Sequence, residues 1–280
     1  MFIELTVGII GGGGWLGRSI GAAMLDKGVL APASLILSSR SGRVEGFDAW
    51  PQVQLTTDNH ELAQRADIIV LSVRPEQFAA VEIDAADKLV ISFMAGVSLD
   101  TLVARTGSRR VIRAMPNAAA EIGQCYTPWF ASDQVTAADR AFTLAMFESC
   151  GSTDEVASEA DLDYLTGLVG SGAAYPALLA EAMLAHALAR GLPRQVAENA
   201  VSGVVVGASQ LLGRDGMPPA AMVQAMLDYR GTTAAGLQAM IEAGFKQAVA
   251  AGLEAAEAAA LRMQSRYSQD SNQTTGRRAR

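Results

Sequence analysis

The sequence predicts an α/β domain built on a mainly parallel sheet, followed by an all-α domain through which chains pair. Three observations carry this. A strand, a glycine turn and a helix start follow one another between Leu5 and Gly21. Short apolar runs then alternate with helical patterns through the first half of the chain. From about Asp161 the composition shifts to alanine, leucine, methionine and glutamate at helical spacing.

The opening passage, LTVGIIGGGGWLGRSIG, breaks an apolar run into Gly11 to Gly14 and then into a helical pattern through Ile20 and Leu25. Gly12, Gly14 and Gly17 fit G-x-G-x-x-G, whose glycines permit a sharp turn, close backbone approach to a pyrophosphate and tight helix packing. The phosphates would sit at the helix N-terminus, where unpaired N–H groups and the helix dipole favour negative charge. The fold class is thus a Rossmann-type dinucleotide-binding domain. Further strands are expected at Ser34–Ser38, Ile68–Ser72, Leu89–Ser92 and Arg110–Arg113, with a short helix near Glu61–Gln64. The loops at Gly11–Gly14, Ser38–Arg43, Val73–Pro75 and Ala95–Gly96 then fall at the carboxyl ends of strands, where such sheets bind ligands.

After the second strand the chain reads Ser38-Ser39-Arg40-Ser41-Gly42-Arg43, with no acid until Glu45. An acid there holds a ribose 2′-hydroxyl, whereas an arginine among small polar residues holds a 2′-phosphate, so NADP is expected in preference to NAD. The alternative is that Arg40 and Arg43 are only a solvated loop.

In the second half, helical spacing covers Tyr175–Leu188, Gln195–Leu212, Ala220–Leu227 and Thr233–Met263, with turn chemistry at Gly191–Pro193, Gly213–Pro219 and Asp228–Gly231. Stretches such as Val201–Ala208 are apolar on more than one face, which predicts burial against a second copy of the chain. The expected organisation is a cofactor domain over 1–158, a helical domain over 159–267 and a polar, disordered tail over 268–280.

Bulk properties narrow the function. Of 280 residues, 50% are hydrophobic and 18% charged, an ordinary globular composition. No apolar run approaches the ~18 residues of a membrane span, and the first residues lack the pattern of a signal peptide, so a cytoplasmic protein without a membrane partner is expected. A net charge of −7 argues against a nucleic-acid partner. Cys125 and Cys150 are too few for a disulfide framework, and with His60 and His186 they form no metal-ligand pattern, so no metal is expected.

Taken together the segments resemble the pyrroline-5-carboxylate reductase family from about residue 5 to residue 262. VGIIGGGGWLG is similar to the family's strand and glycine loop, with one residue more. Thr57-Asp58-Asn59 resembles its adenosine-side asparagine segment, and Leu71-Ser72-Val73-Arg74-Pro75 its A-V-K-P turn. Ile91–Val97 resembles the next loop and Ile112–Asn117 the R-x-M-P-N motif. Gly170–Tyr175 resembles G-S-G-P-A-Y, Gly191–Arg194 matches G-L-P-R, and Gly231–Leu237 matches the end of S-P-G-G-T-T-x-x-G-L.

The resemblance implies reduction of a cyclic imine by NADPH to a cyclic secondary amine, pyrroline-5-carboxylate to proline, in a homodimer or larger assembly. It implies cofactor contacts by Ile10, Gly11, Gly12, Gly13, Gly14, Trp15, Leu16, Ser39, Arg40, Asn59, Ser72, Val73, Arg74, Pro75, Met94, Ala95, Gly96 and Asn117. Thr233 is matched to the threonine that hydrogen-bonds the imine nitrogen, and Gly231 and Thr232 to the backbone donors for the substrate carboxylate.

The substrate loop departs from the pattern: Asp228, Tyr229 and Arg230 replace the family's serine, proline and first glycine. If that conformation requires a positive φ, Arg230 is strained there and the loop is expected to take another shape. Arg230 pairs with a substrate carboxylate, or Asp228 and Tyr229 reshape the pocket for a different imine, or the loop is merely solvated. A β-hydroxyacid dehydrogenase would need a lysine after Gly170-Ser171-Gly172, and Lys27, Lys88 and Lys246 all lie elsewhere. A flavin-dependent reductase leaves the M-P-N and G-T-T segments without a role. A non-catalytic NADPH-binding regulator remains the alternative from another class, with the intact Gly231-Thr232-Thr233 against it.

Overall fold

A computed structural model describes residues 2, 5–212 and 216–278, without the side chains of Arg266 and of residues beyond Tyr267. It contains two compact units, residues 1–171 with 256–280, and residues 172–255.

The first unit is an eight-stranded sheet in the order β3-β2-β1-β4-β5-β6-β7-β8. The strands are β1 Val7–Ile10, β2 Leu35–Ser38, β3 Gln54–Thr56, β4 Ile68–Leu71, β5 Leu89–Ser92, β6 Arg110–Ala114, β7 Cys125–Ala131 and β8 Gly151–Glu155. Every neighbouring pair is parallel except β6 and β7. The strands VGII, LILS, IIVL and LVIS are buried along their whole length, as parallel strands covered on both faces must be. Successive residues face opposite sides: Ile9 and Leu37 join one core with Trp129, Phe142 and Phe147, while Ile10 and Ile36 join the other with Leu62, Phe78 and Leu102.

Three strands escape the sequence pattern for identifiable reasons. β3 and β8 are polar edge strands, QLT and GSTDE. β7 contains Pro128, a residue that argues against a strand, and runs antiparallel to β6.

The crossover helices are α1 Trp15–Asp26, α2 Asn59–Arg65, α3 Pro75–Phe78, α4 Leu99–Thr106 and α5 Ala137–Glu148. Asp58, Ser98 and Thr136 cap α2, α4 and α5 through their side chains. Strand order reverses between β1 and β4, which opens a crevice beyond their carboxyl ends.

The helix α6, Glu159–Leu165, packs within this compact unit, which runs on to Ser171. The reason is Arg113 on β6, wholly buried, whose guanidinium donates to Glu159 Oε1 at 2.6 Å and to Asp163 Oδ1 at 2.9 Å. Glu159 Oε1 also accepts from Leu99 N at 2.8 Å, drawing the starts of α4 and α6 together.

The second unit holds α7 Ala174–Ala189, α8 Arg194–Ser202, a π turn at Gly203–Gly207, a 3-10 turn at Ala208–Leu211, α9 Pro219–Asp228, α10 Thr232–Glu242 and the start of α11 Phe245–Arg278. The expected break at Gly213 to Asp215 lies outside the described residues. The polar stretch from Ser268, expected to be disordered, continues α11 through Arg278; no proline interrupts it and its single glycine comes late, at Gly276.

Apolar side chains of the second unit stand open: Leu178 is 65% and Val206 60% exposed. Ala197 is its only buried hydrophobic residue among those described. Apolar surface on this scale marks an association face. The helical run Glu159–Ala189 contains an 18-residue window of mean hydropathy 1.3 and is by length and composition alone apolar enough to cross a bilayer, a stretch not apparent from the sequence because Asp161, Asp163 and the 166–173 turns punctuate it.

Asp163→Ala should lower the unfolding free energy by ~3–5 kcal/mol, because it leaves one arm of a buried guanidinium without its partner. Urea denaturation followed by circular dichroism checks this; a loss below ~1 kcal/mol would mean that Arg113 does not depend on Asp163.

Candidate functional site

The crevice at the strand reversal is built by the glycine loop. Gly11 follows β1 at φ +85, and a side chain there would lie 2.5 Å from the carbonyl oxygen of Ser72, so both conformation and space demand glycine. Gly14 N closes the turn on Gly11 O at 2.9 Å, and the amides of Gly11 and Gly12 both donate to Ser38 O. The sharp turn therefore belongs to Gly11, one residue before the position expected from Gly12, Gly14 and Gly17. Gly12 is buried against Leu37, and Gly17 packs α1 onto the loop, 2.8 Å from Gly11 O for a side chain placed there.

Gly14 precedes α1 in an extended conformation, and no side chain caps the helix. The leading N–H groups of α1 are thus open to an anion. Gly13 faces the crevice, and a side chain on it would meet no atom nearer than 3.4 Å. The glycine cradle consequently fits a pyrophosphate: its backbone is exposed where a side chain would otherwise fill the space.

A cleft of about 690 Å³ opens here. Its walls are Gly11, Gly13 and Gly14; Ser38 to Ser41 from the end of β2; Asn59 from the start of α2; and Ser72 to Arg74 with Gln77, Ala80 and Val81 after β4. Ser38 Oγ donates to Asn59 Oδ1 at 2.6 Å, tying the β2 and α2 walls. Ser39 Oγ donates to Arg43 O at 2.9 Å and curls the loop that carries Arg40. Arg40 and Arg74 are both exposed on this cleft, and among the described residues neither enters an ion pair. Two unpaired guanidinium groups give the cleft a positive rim in a chain of net charge −7.

Of the residues expected to contact a cofactor, Gly11, Gly13, Gly14, Ser39, Arg40, Asn59, Ser72, Val73 and Arg74 line this cleft. The others do not. Ile10 and Met94 are core residues, and Leu16 packs on the core. Pro75 opens α3. Ala95 is half-buried, and Gly96 at φ +70 has its open side filled by α11, where a side chain would lie 2.6 Å from Met263 Cβ. Asn117 is engaged internally, accepting from Ala119 N at 2.9 Å and donating to Val169 O at 3.1 Å. Trp15 stands beside the loop, and its Nε1 donates to Glu121 Oε2 at 2.9 Å. Ser38 and Ser41 line the cleft from the loop expected to bind ligand, whereas Gln77, Ala80 and Val81 line it unforeseen; only their nearness to the Val73-Arg74 segment signals them.

In the helical unit, α9 ends at Asp228, Tyr229 follows at 84% exposure, and Gly231 enters α10 in extended conformation with no side-chain cap. Arg230 lies between them at φ 54, the one non-glycine residue at positive φ among those described. The chain thus holds an arginine in the left-handed region, a strain of ~1–2 kcal/mol. Asp228 accepts from Gln224 Nε2 at 2.9 Å and makes no ion pair with Arg230. Thr232 and Thr233 are exposed in the first turn of α10, whose N–H groups are open.

Both cysteines are buried free thiols; burial pushes that of Cys150 up to about 12, which makes it unreactive. Among the described residues no group of His, Cys, Asp and Glu could hold a metal.

Sheet order, glycine cradle and helical second unit define the class of dinucleotide-binding proteins that carry a helical second unit. Comparison with known proteins narrows the class. Residues 159–263 match the family described as pyrroline-5-carboxylate reductase dimerisation, and residues 6–96 that described as NADP oxidoreductase, coenzyme F420-dependent. The chain is 32% identical over 252 residues to a pyrroline-5-carboxylate reductase of Synechocystis, spanning 88% of this chain and 94% of the relative. It is 31% identical over 254 residues to that of Escherichia coli K12, with 88% and 94% covered. The solved structure of a pyrroline-5-carboxylate reductase from Coxiella burnetii superimposes with a TM-score of 0.79 at 25% identity, covering 92% of this chain and 98% of that one. The chain belongs to the pyrroline-5-carboxylate reductase family.

Gly13→Ala should fold with an unchanged melting temperature and bind dinucleotide about tenfold or more weakly, the loss of one close backbone contact. Gly11→Ala should instead lose ~1–3 kcal/mol of stability through its backbone conformation. Thermal melts paired with calorimetric NADPH titrations separate the two; a Gly13→Ala protein with full affinity would take the loop out of the binding site.

Proposed function

We propose that this chain transfers a hydride from NADPH to the imine carbon of pyrroline-5-carboxylate, producing proline, as a homodimer or larger assembly in the cytoplasm. Family membership over 88% of the chain carries the reading. The exposed apolar helices support the assembly, with 159–267 as the dimerisation and substrate half.

NADPH, when bound, supplies the hydride. The protein's part is to hold two molecules in register. The backbone N–H of Gly13 and those of the first turn of α1 receive the pyrophosphate, the amides of Gly11, Gly12 and Gly14 being used to shape the loop. Ser39, Arg40 and Ser41 receive the 2′-phosphate, which selects NADPH over NADH; the exposed and unpaired state of Arg40 supports this. A protonated cyclic imine is already electrophilic, so the substrate side needs orientation more than acid catalysis. The Thr233 hydroxyl hydrogen-bonds the ring nitrogen, which keeps its proton as the carbon accepts hydride and becomes the secondary amine of the product. N–H groups of Gly231 and Thr232, with the Arg230 guanidinium, hold the carboxylate.

NADPH oxidation, followed by its near-ultraviolet absorbance, should proceed best with pyrroline-5-carboxylate beside uncarboxylated pyrroline and its six-membered analogue. Thr233→Val should lower kcat by roughly 10²-fold, the low end for a positioned proton-holding group, with NADPH affinity nearly unchanged. No turnover of any imine by a protein that binds NADPH would instead make it a binding-only regulator.

Arg40→Ala should weaken NADPH by about tenfold or more, since a hydrogen bond to a charged group contributes ~1.5–3 kcal/mol, and should leave NADH nearly unaffected. Paired titrations with the two cofactors test it; an unchanged preference would return Arg40 to the solvated loop.

A further inference from the structure

Trp15 is the first residue of α1, directly after Gly14 of the cleft, and it is 55% exposed. Its indole nonetheless has a defined partner. Nε1–H donates to Glu121 Oε2 at 2.9 Å across 106 positions of sequence. Glu121 lies in the 3-10 turn Ala118–Ile122 after β6, and that turn is itself held: Asn117 caps it through Ala119 N and is anchored by Val169 O. The next residue, Ile122, is 70% exposed.

Folding alone does not account for this clasp. A hydrogen bond between two exposed groups contributes little to stability, because water competes for both. Meanwhile the indole and Ile122 keep apolar surface in water. The arrangement orients an aromatic face without burying it.

The position of the clasp indicates what that face could meet. The positive and serine-rich wall, Ser38 to Ser41, lies at the end of β2 on one side of the glycine loop. Glu121 follows β6, which lies on the other side, beyond β4 and β5. A dinucleotide bound at the strand reversal runs across that loop, with its adenosine end toward β2 and its other half beyond β4.

We propose that Trp15, aimed by Glu121, is the surface on which the nicotinamide ring of the cofactor stacks, with Glu121 as a positioning residue. The proposal rests on the dinucleotide reading. An indole offers a large flat face of fixed orientation to a flat heteroaromatic ring. Glu121 restricts the indole rotation that stacking would otherwise have to freeze out on binding.

Calorimetric titration of the full chain with NADPH and with 2′-phospho-ADP-ribose, the cofactor without its nicotinamide, tests this. Trp15→Ala should bind NADPH about 2–10-fold more weakly, the range of a single aromatic pair, and bind the fragment as before. Glu121→Ala should show part of that loss, and Glu121→Gln, whose amide oxygen still accepts from the indole, should recover it. Trp129 is buried and Trp50 half-buried, so Trp15 is the exposed emitter among the three tryptophans. Oxidised NADP, whose nicotinamide does not absorb at the emission wavelength, should quench its fluorescence, the fragment should not, and Trp15→Phe should remove most of the difference. Unchanged NADPH affinity in Trp15→Ala, or equal losses for NADPH and fragment, would overturn the stacking role. Wild-type protein that binds neither ligand would overturn the dinucleotide reading itself, and the stacking role with it.

Discussion

The approach of Gly11 to the carbonyl of Ser72 is the contact on which the first unit's function depends. It brings the ends of β1 and β4 together at the strand reversal, and it leaves room for no atom beyond a glycine's hydrogen. From that contact the rest of the crevice follows. Gly14 closes the turn onto Gly11, α1 starts without a side-chain cap, and Gly17 lets the helix settle on the loop. Within the loop Gly12 is turned inward against Leu37, while Gly13 and Gly14 remain on the cleft.

A second constraint sits at the other end of the parallel sheet. Arg113 is fully buried with its two acids at 2.6 and 2.9 Å, an arrangement that stabilises little relative to an apolar core but strongly penalises loss of either partner. Its consequence is positional. It places α6 on the sheet, and through Leu99 it registers the loop after β5. The returning end of α11 occupies the open side of Gly96 in that same loop, which is why Met94 to Gly96 face protein and not the cleft.

The helical unit carries two features that its own packing does not explain. Its apolar side chains are largely open, a condition that an association surface resolves. Arg230 is held at φ 54, where a glycine would be free of strain. Residues kept in such conformations cluster where function requires them, and Arg230 immediately precedes the uncapped start of α10 with its exposed Thr232 and Thr233.

Much was legible in the sequence because it is local. Buried parallel strands announce themselves as continuous apolar runs, so β1, β2, β4, β5 and β6 could be read directly, as could the glycine turn and the loops that follow these strands. Edge strands such as β3 and β8 have no such run, because only one side of them is paired and their side chains meet water; Pro128 disguised β7. The glycine with the positive φ, the inward-turned Asn117, the internal packing of Gly96 and the reach of Trp15 to Glu121 were decided by tertiary structure alone. Each depends on a partner 20 or more residues away, and a chemical pattern along the chain records which residue types can meet, not which atoms the fold brings within a few ångströms of one another.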